Sequence, residues 1–247
     1  MSGHSKWHNI QATKSKADAA RGKIFTKIGR EIAVAVKLGG PDPTINSKLY
    51  DVIAKAKQNN MPNDNIQRSI KKAVGGEEGG NYDAVTYEGY GIKGVAFIVE
   101  CLTDNRNRTA ADVRHLFDKF NGSLGTTGSV TYMFDYKGVV VVPKNDATSE
   151  DNVMMTALDA GADDVSTDLT DVYEIVCRPD CLHAVSKAFE AAGNEVLSAE
   201  VQYIPQNYIE LDKESAMSIN KLIVALEDLD DVQNVYTSAD LSALDGE

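Results

Sequence analysis

Cysteine is scarce in this chain: there are three, Cys101, Cys177 and Cys181. The number is odd and no two are spaced C-x-x-C, which excludes a disulfide framework and a zinc-ribbon arrangement. Cys101 and Cys177 lie in apolar, strand-like runs and read as small buried hydrophobes. His4 and His8 stand four apart but have no Cys, Asp or Glu beside them, so no metal site is expected. Long hydrophobic runs are also missing. None reaches the roughly 18–20 residues that a membrane span needs, and the stretch Met1–His8 has no apolar core of a secretory signal. A cytoplasmic protein without a membrane partner is the expectation. The catalytic fingerprints are absent too: no Gly-x-Ser-x-Gly, no His-Glu-x-x-His, no dinucleotide or Walker motif. His115 and His183 fall within predicted helices, with no nucleophile near them in sequence. A binding protein is therefore expected in preference to an enzyme, with no cofactor and no small-molecule substrate.

The most informative shortage is of acidic residues near the N-terminus. Residues 1–30 hold seven Lys or Arg and a single acid, Asp18. Over residues 1–72 the count is fourteen basic against five acidic, a net of +9, in a chain whose formal net charge is −12. Residues 73–247 must then carry −21. A basic module joined to an acidic body points to a polyanionic partner at one end of the molecule.

Hydrophobic periodicity divides the chain into three parts. Ile24, Phe25, Ile28, Ile32, Ala35 and Val36 recur at helical spacing until Gly39-Gly40-Pro41 stops the run. Asp42 is expected to cap a second helix with Pro43 at its first position and Ile45, Leu49, Val52, Ile53 and Ala56 inward. Asn63 or Asp64 opens a third, carrying Ile66, Ile70 and Val74. Three amphipathic helices make a small bundle over residues 1–76. The Gly-rich stretch 75–80 reads as a linker; it lacks the Gly-Lys-Ser/Thr ending of a phosphate loop.

Beyond it the pattern turns to α+β. Strands are expected at 85–88 and 94–102, a helix at 109–120 capped by Thr109 and Asp112, and a strand at 130–136. Residues 138–205 contain a complete βαββαβ order of their own, that of a ferredoxin-like unit. The segment before them lacks a helix and a strand, which the tail supplies at Ala216–Leu226 and Val232–Tyr236. The reading is a split α/β domain, 81–137 plus 206–247, with a second ferredoxin-like domain, 138–205, inserted into it.

Set on a wheel at 100° per residue, Lys16, Lys27, Arg30 and Lys37 all fall within about 40° of Lys23. The apolar residues of the same helix lie on the opposite side, with Val34 the one interruption. A solvated helix normally mixes signs to gain i,i+4 pairs, and between residues 1 and 30 Asp18 is the one acid. Lys16, Lys23, Lys27, Arg30 and Lys37 are thus candidate phosphate contacts, and Lys6, Lys14 and Arg21 join them as the other cations of the acid-poor stretch 1–30. Trp7, the only tryptophan, either stacks on a base or anchors the N-terminus. Arg106, Arg108 and Arg114 form a second cluster, which either pairs with carboxylates of the acidic body or adds secondary anion contacts.

Gly3-His4-Ser5-Lys6-Trp7, Gly39-Gly40-Pro41-Asp42-Pro43, Asn60-Met61-Pro62, Tyr87-Glu88-Gly89-Tyr90-Gly91 and Leu102–Thr109 together resemble the hallmarks of the YebC family. The resemblance continues through Gly128-Ser129-Val130 and Ala157–Ala162 to Asp231–Tyr236, with Ile92-Lys93 standing where Pro-Gly is expected. It implies a helical domain followed by two α/β domains, and a regulator of gene expression of the kind described as a DNA-binding transcriptional regulator. Members tied to translation imply an alternative: a ribosome-associated factor contacting rRNA or tRNA and easing elongation through proline-rich stretches. A protein-binding adaptor working through the acidic body is the third option. The family brings no catalytic residues. The basic stripe is mostly Lys, which offers point charge more than bidentate base reading.

Overall fold

A computed structural model describes residues 18–75, 81–145 and 148–244. Lys6, Trp7, Lys14 and Lys16 lie outside the described residues, as does most of the Gly-rich stretch.

The N-terminal domain is built from α1 (Asp18–Gly39), α2 (Ser47–Gln58) and α3 (Asn63–Val74). Its core contains Ile28, Ile32, Ala35, Leu49, Val52, Ala56, Ile66 and Ile70, all buried, as the helical spacing requires. Gly40 ends α1 at φ +84°, its N–H donating to Val36 O at 2.8 Å. The second helix starts later than the sequence suggests. Asp42 closes a turn by accepting from the N–H and hydroxyl of Thr44, and Asn46 is the cap. Asn46 does more than an aspartate could: Oδ1 accepts from Leu49 N while Nδ2 donates to Ala35 O and Gly40 O. A Cβ at Gly39 would stand 2.7 Å from that amide, so the glycine makes room for it. Ile45 consequently sits in the turn, 81% exposed, and Val74 is exposed at the end of α3; neither joins the core.

The split domain carries a four-stranded antiparallel sheet in the order β3-β1-β2-β9, formed by β1 (Asp83–Tyr90), β2 (Ala96–Thr103), β3 (Ser123–Leu124) and β9 (Val232–Thr237). Helices α4 (Arg106–Lys119) and α7 (Lys213–Glu227) cover one face, packing Val113, Phe117, Ile219, Leu222 and Leu226 on Phe97, Val99 and Cys101. Strand β1 continues through Tyr90, and the turn to β2 is made by Ile92–Gly94. Lys93 there adopts φ 59°, a left-handed conformation that costs a non-glycine residue about 1 kcal/mol. Helix α4 begins three residues before the expected cap. Asn105 accepts from Arg108 N, leaving the buried Thr109 free to use its hydroxyl elsewhere. Glu88 is buried with its carboxylate accepting the backbone N–H groups of Gly128, Val130 and Thr131 at 2.7–2.9 Å. Burial pushes its pKa up, but those bonds outweigh burial and hold it below the ordinary value.

The two strands expected at 130–136 and 139–142 are one, β4 (Phe134–Pro143), preceded by a single turn of 3₁₀ helix. β4 belongs wholly to the second sheet, ordered β5-β6-β4-β7, with β5 (Asp164–Ser166), β6 (Val172–Cys177) and β7 (Ser198–Pro205). With α5 (Glu150–Asp159) and α6 (Leu182–Ala191) this gives the βαββαβ order and the 4-1-3-2 sheet of a ferredoxin-like unit. The short strands β8 (Ile209–Glu210) and β10 (Ala239–Asp240) pair in parallel beside the first sheet.

Candidate nucleic-acid interface

The basic face of α1 meets the split domain. Lys23 Nζ lies 2.5 Å from Asp228 Oδ1, and Lys27 Nζ donates to Glu227 O at 2.7 Å. Both residues sit at the end of α7, where unpaired carbonyls and the helix dipole favour cations. Burial lowers the Lys27 pKa, partly offset by Glu227 and Asp230. One turn on, Arg30 is only 14% exposed. It donates to Leu102 O, Asp230 O and Asp231 Oδ1 at 3.1, 2.7 and 2.6 Å, and its guanidinium stacks over Tyr82, 5.2 Å from the ring centre. Lys37 donates to Asn81 Oδ1.

Asp231 is the hub of this contact. While Oδ1 receives Arg30, Oδ2 receives Arg108 at 2.8 Å and the Thr109 and Thr103 hydroxyls at 2.7 and 3.2 Å. Burial pushes the carboxyl up, but the bonds from Arg108, Thr109 and Arg30 together hold it at about 2. Arg108 also pairs with Asp104 at 2.7 Å, and Arg106 pairs with Asp83 at 3.0 Å. Arg114 is exposed and has no ion pair among the described residues.

Helix α2 joins the N-terminal domain to the inserted one. Lys55 is held between Glu31 at 2.8 Å and Glu200 at 3.0 Å. Burial would lower its pKa, yet the two carboxylates raise it above the ordinary value. His183 Nδ1 lies 2.8 Å from Asp51 Oδ1, and Gln58 donates to Val196 O at 3.0 Å. The N-terminal domain is therefore clamped on two sides by the acidic body.

Two models cover nearly all of the sequence. That of the TACO1/YebC N-terminal domain matches residues 5–76, and that of the TACO1/YebC second and third domain matches residues 82–239. The chain belongs to the TACO1/YebC family. A probable transcriptional regulatory protein of Acetivibrio thermocellus is 58% identical over 237 residues, 96% of this chain and 98% of the relative. Another of the same name, from Ruminiclostridium cellulolyticum, is 60% identical over 239 residues, 96% of each. The crystal structure of a conserved hypothetical protein from Aquifex aeolicus superposes with a TM-score of 0.82 at 43% identity, covering 91% of this chain and 92% of that one. No helix among the described residues is long and apolar enough to cross a membrane.

In this TACO1/YebC-family chain, α2 and α3 also carry cations with exposed side chains. Arg68, Lys71 and Lys72 stand at i, i+3 and i+4 on α3, all exposed and without an ion pair among the described residues. Lys48 and Lys57 on α2 are exposed in the same way; Arg21 at the start of α1 is exposed too. The spacing of Arg68, Lys71 and Lys72 opposite Ile66 and Ile70 was readable from the sequence. The denser stripe of α1 outcompeted it, because single-sign density alone does not say which polyanion, internal or external, answers it.

Proposed function

We propose that this chain is a nucleic-acid-binding regulator of gene expression, acting as its relatives' name of transcriptional regulator suggests. It touches phosphate backbone through the N-terminal domain. The observation that carries this reading is the exposed set Arg68, Lys71 and Lys72 on a domain of net positive charge, set against a body of −21. Lys71 and Lys72 also stand in the last turn of α3, where its dipole stabilises them without an acidic partner. Lys6, Lys14, Lys16 and Arg21 extend the same charge toward the N-terminus. Lys23, Lys27, Arg30 and Lys37 then serve chiefly to hold the domains together. At physiological salt the Debye length of about 8 Å screens the acidic body from a ligand on the far side of the helical domain.

Five of these seven contacts are lysines, which offer point charge more than bidentate base reading. That favours backbone binding with little sequence preference, which suits structured RNA on the ribosome as well as a duplex. Sedimentation of a lysate through a sucrose gradient separates the two. Free protein that retards a labelled duplex sequence-selectively supports the transcriptional reading. Co-migration with ribosomes, lost in R68Q/K71Q/K72Q, supports the ribosomal one. Failure to bind either nucleic acid at low salt contradicts both.

A further inference from the structure

Helix α5 of the inserted domain turns apolar side chains in two directions. Val153 and Ala157 are buried in the domain core, four residues apart as one face demands. Met154, Met155 and Leu158 point the other way and are 48%, 64% and 77% exposed. Among the ten large hydrophobics exposed in the described structure, three therefore fall within five residues of one helix. Folding of this domain gives no reason for them. A soluble helix places polar residues on that side, and among the described residues neither the split domain nor the N-terminal domain covers it.

The surroundings of this face define what would cover it. Glu150, Asp151 and Asp159 on the same helix are exposed, as are Asp163 and Asp164 just after it. Residues 138–205 hold thirteen Asp or Glu and three Lys or Arg. A phosphate-bearing ligand or an anionic membrane would be repelled. A neutral apolar partner would strip water from the carboxylates without pairing them. We propose that α5 docks a cationic amphipathic segment of another protein, whose apolar side chains seat on Met154, Met155 and Leu158 and whose Lys or Arg residues meet Glu150, Asp151 and Asp159. Methionine suits such a surface, because its unbranched, polarisable side chain repacks around differing partners. Nucleic acid on the basic domain and a basic protein on the inserted one would give the molecule two faces of opposite preference.

The test titrates the full chain with a fluorescent eighteen-residue helical peptide of Leu and Lys, its Leu on one face. A peptide of the same composition in scrambled order is the control. The helical peptide is expected to bind at least ten-fold more tightly than the scrambled one. M155E/L158E should lose that advantage, and M155S/L158S should lose most of it. E150Q/D151Q/D159Q should weaken binding several-fold and flatten its salt dependence. M217E/V224E, which alters exposed apolar residues on α7, should bind as the parent does. Because none of these side chains is buried, the melting temperature serves as a folding check and should stay within a few degrees. Equal binding of both peptides, or equal binding by parent and M155E/L158E, overturns the proposal. So does self-association of the parent at micromolar concentration that M155E/L158E abolishes, since a second copy would then be the occupant.

Discussion

The two basic faces of the N-terminal domain look alike in sequence and differ in what they meet. On α1, Lys23, Lys27 and Arg30 end on the carbonyls and carboxylates of Glu227, Asp228, Asp230 and Asp231. On α3, Arg68, Lys71 and Lys72 end in solvent. A run of one charge sign without local partners signals that a counter-charge lies elsewhere. It does not say that the counter-charge is on another molecule. Here the acidic body supplies it for one face and leaves the other.

The comparison breaks most severely at Asp231. Asp231→Ala leaves Arg30 and Arg108 facing a site where the carboxylate was, and should cost about 3–5 kcal/mol of stability, read by urea denaturation. Arg30→Ala should destabilise in the same range, whereas Arg68→Ala should change stability by less than about 0.5 kcal/mol. If Arg30→Ala were as mild as Arg68→Ala, the two faces would not differ as described. Acid should act on the same hub. The Asp231 carboxyl titrates at about 2 when folded and near the ordinary 3.9 when unfolded. Its contribution is present above the unfolded value and is lost as pH falls toward 2. Asp231→Asn should therefore flatten the acid limb of a stability–pH profile. Among the residues that join the domains, the mildest expected effect is at Lys23. Its exposed pair with Asp228 is worth at most about 1 kcal/mol, so Lys23→Ala should shift the denaturation midpoint only slightly.

Much of the fold was legible because its elements announce themselves by period. The three helices of the first domain, the βαββαβ order of the insertion and the returning α7 and β9 all follow from spacing of apolar residues. The two misplaced helix starts share one cause: side-chain hydrogen bonds that outweigh the local start signal. Asp42-Pro43 carries the better local start signal, but Asn46 wins because its amide bridges Ala35, Gly40 and Leu49. Thr109 looks like a cap, yet its hydroxyl belongs to Asp231, 122 residues away, and Asn105 takes the role. β4 reads as two strands because Gly138 interrupts its apolar run. In the sheet that glycine is what fits, since a Cβ there would meet Cys177 Sγ at 2.8 Å. The candidate site was legible only in part. A helical wheel gives the face a cation occupies, and α1 has its core and basic faces where the wheel puts them. It carries no information about a neighbouring domain two hundred residues along the chain.

The central claim is that α3, and not the α1 stripe, presents cations to phosphate. The most direct measurement is the dependence of binding on salt for a labelled 20-base-pair duplex, comparing the parent with R68Q/K71Q/K72Q and with K23Q. On duplex DNA each phosphate contact contributes about 0.9 to the slope of log K against log[salt]. The account predicts that R68Q/K71Q/K72Q flattens the slope by about 2–3 while K23Q leaves it within about 0.5 of the parent. An unchanged slope in R68Q/K71Q/K72Q, with a loss of about one in a K23Q protein of parental stability, would contradict it.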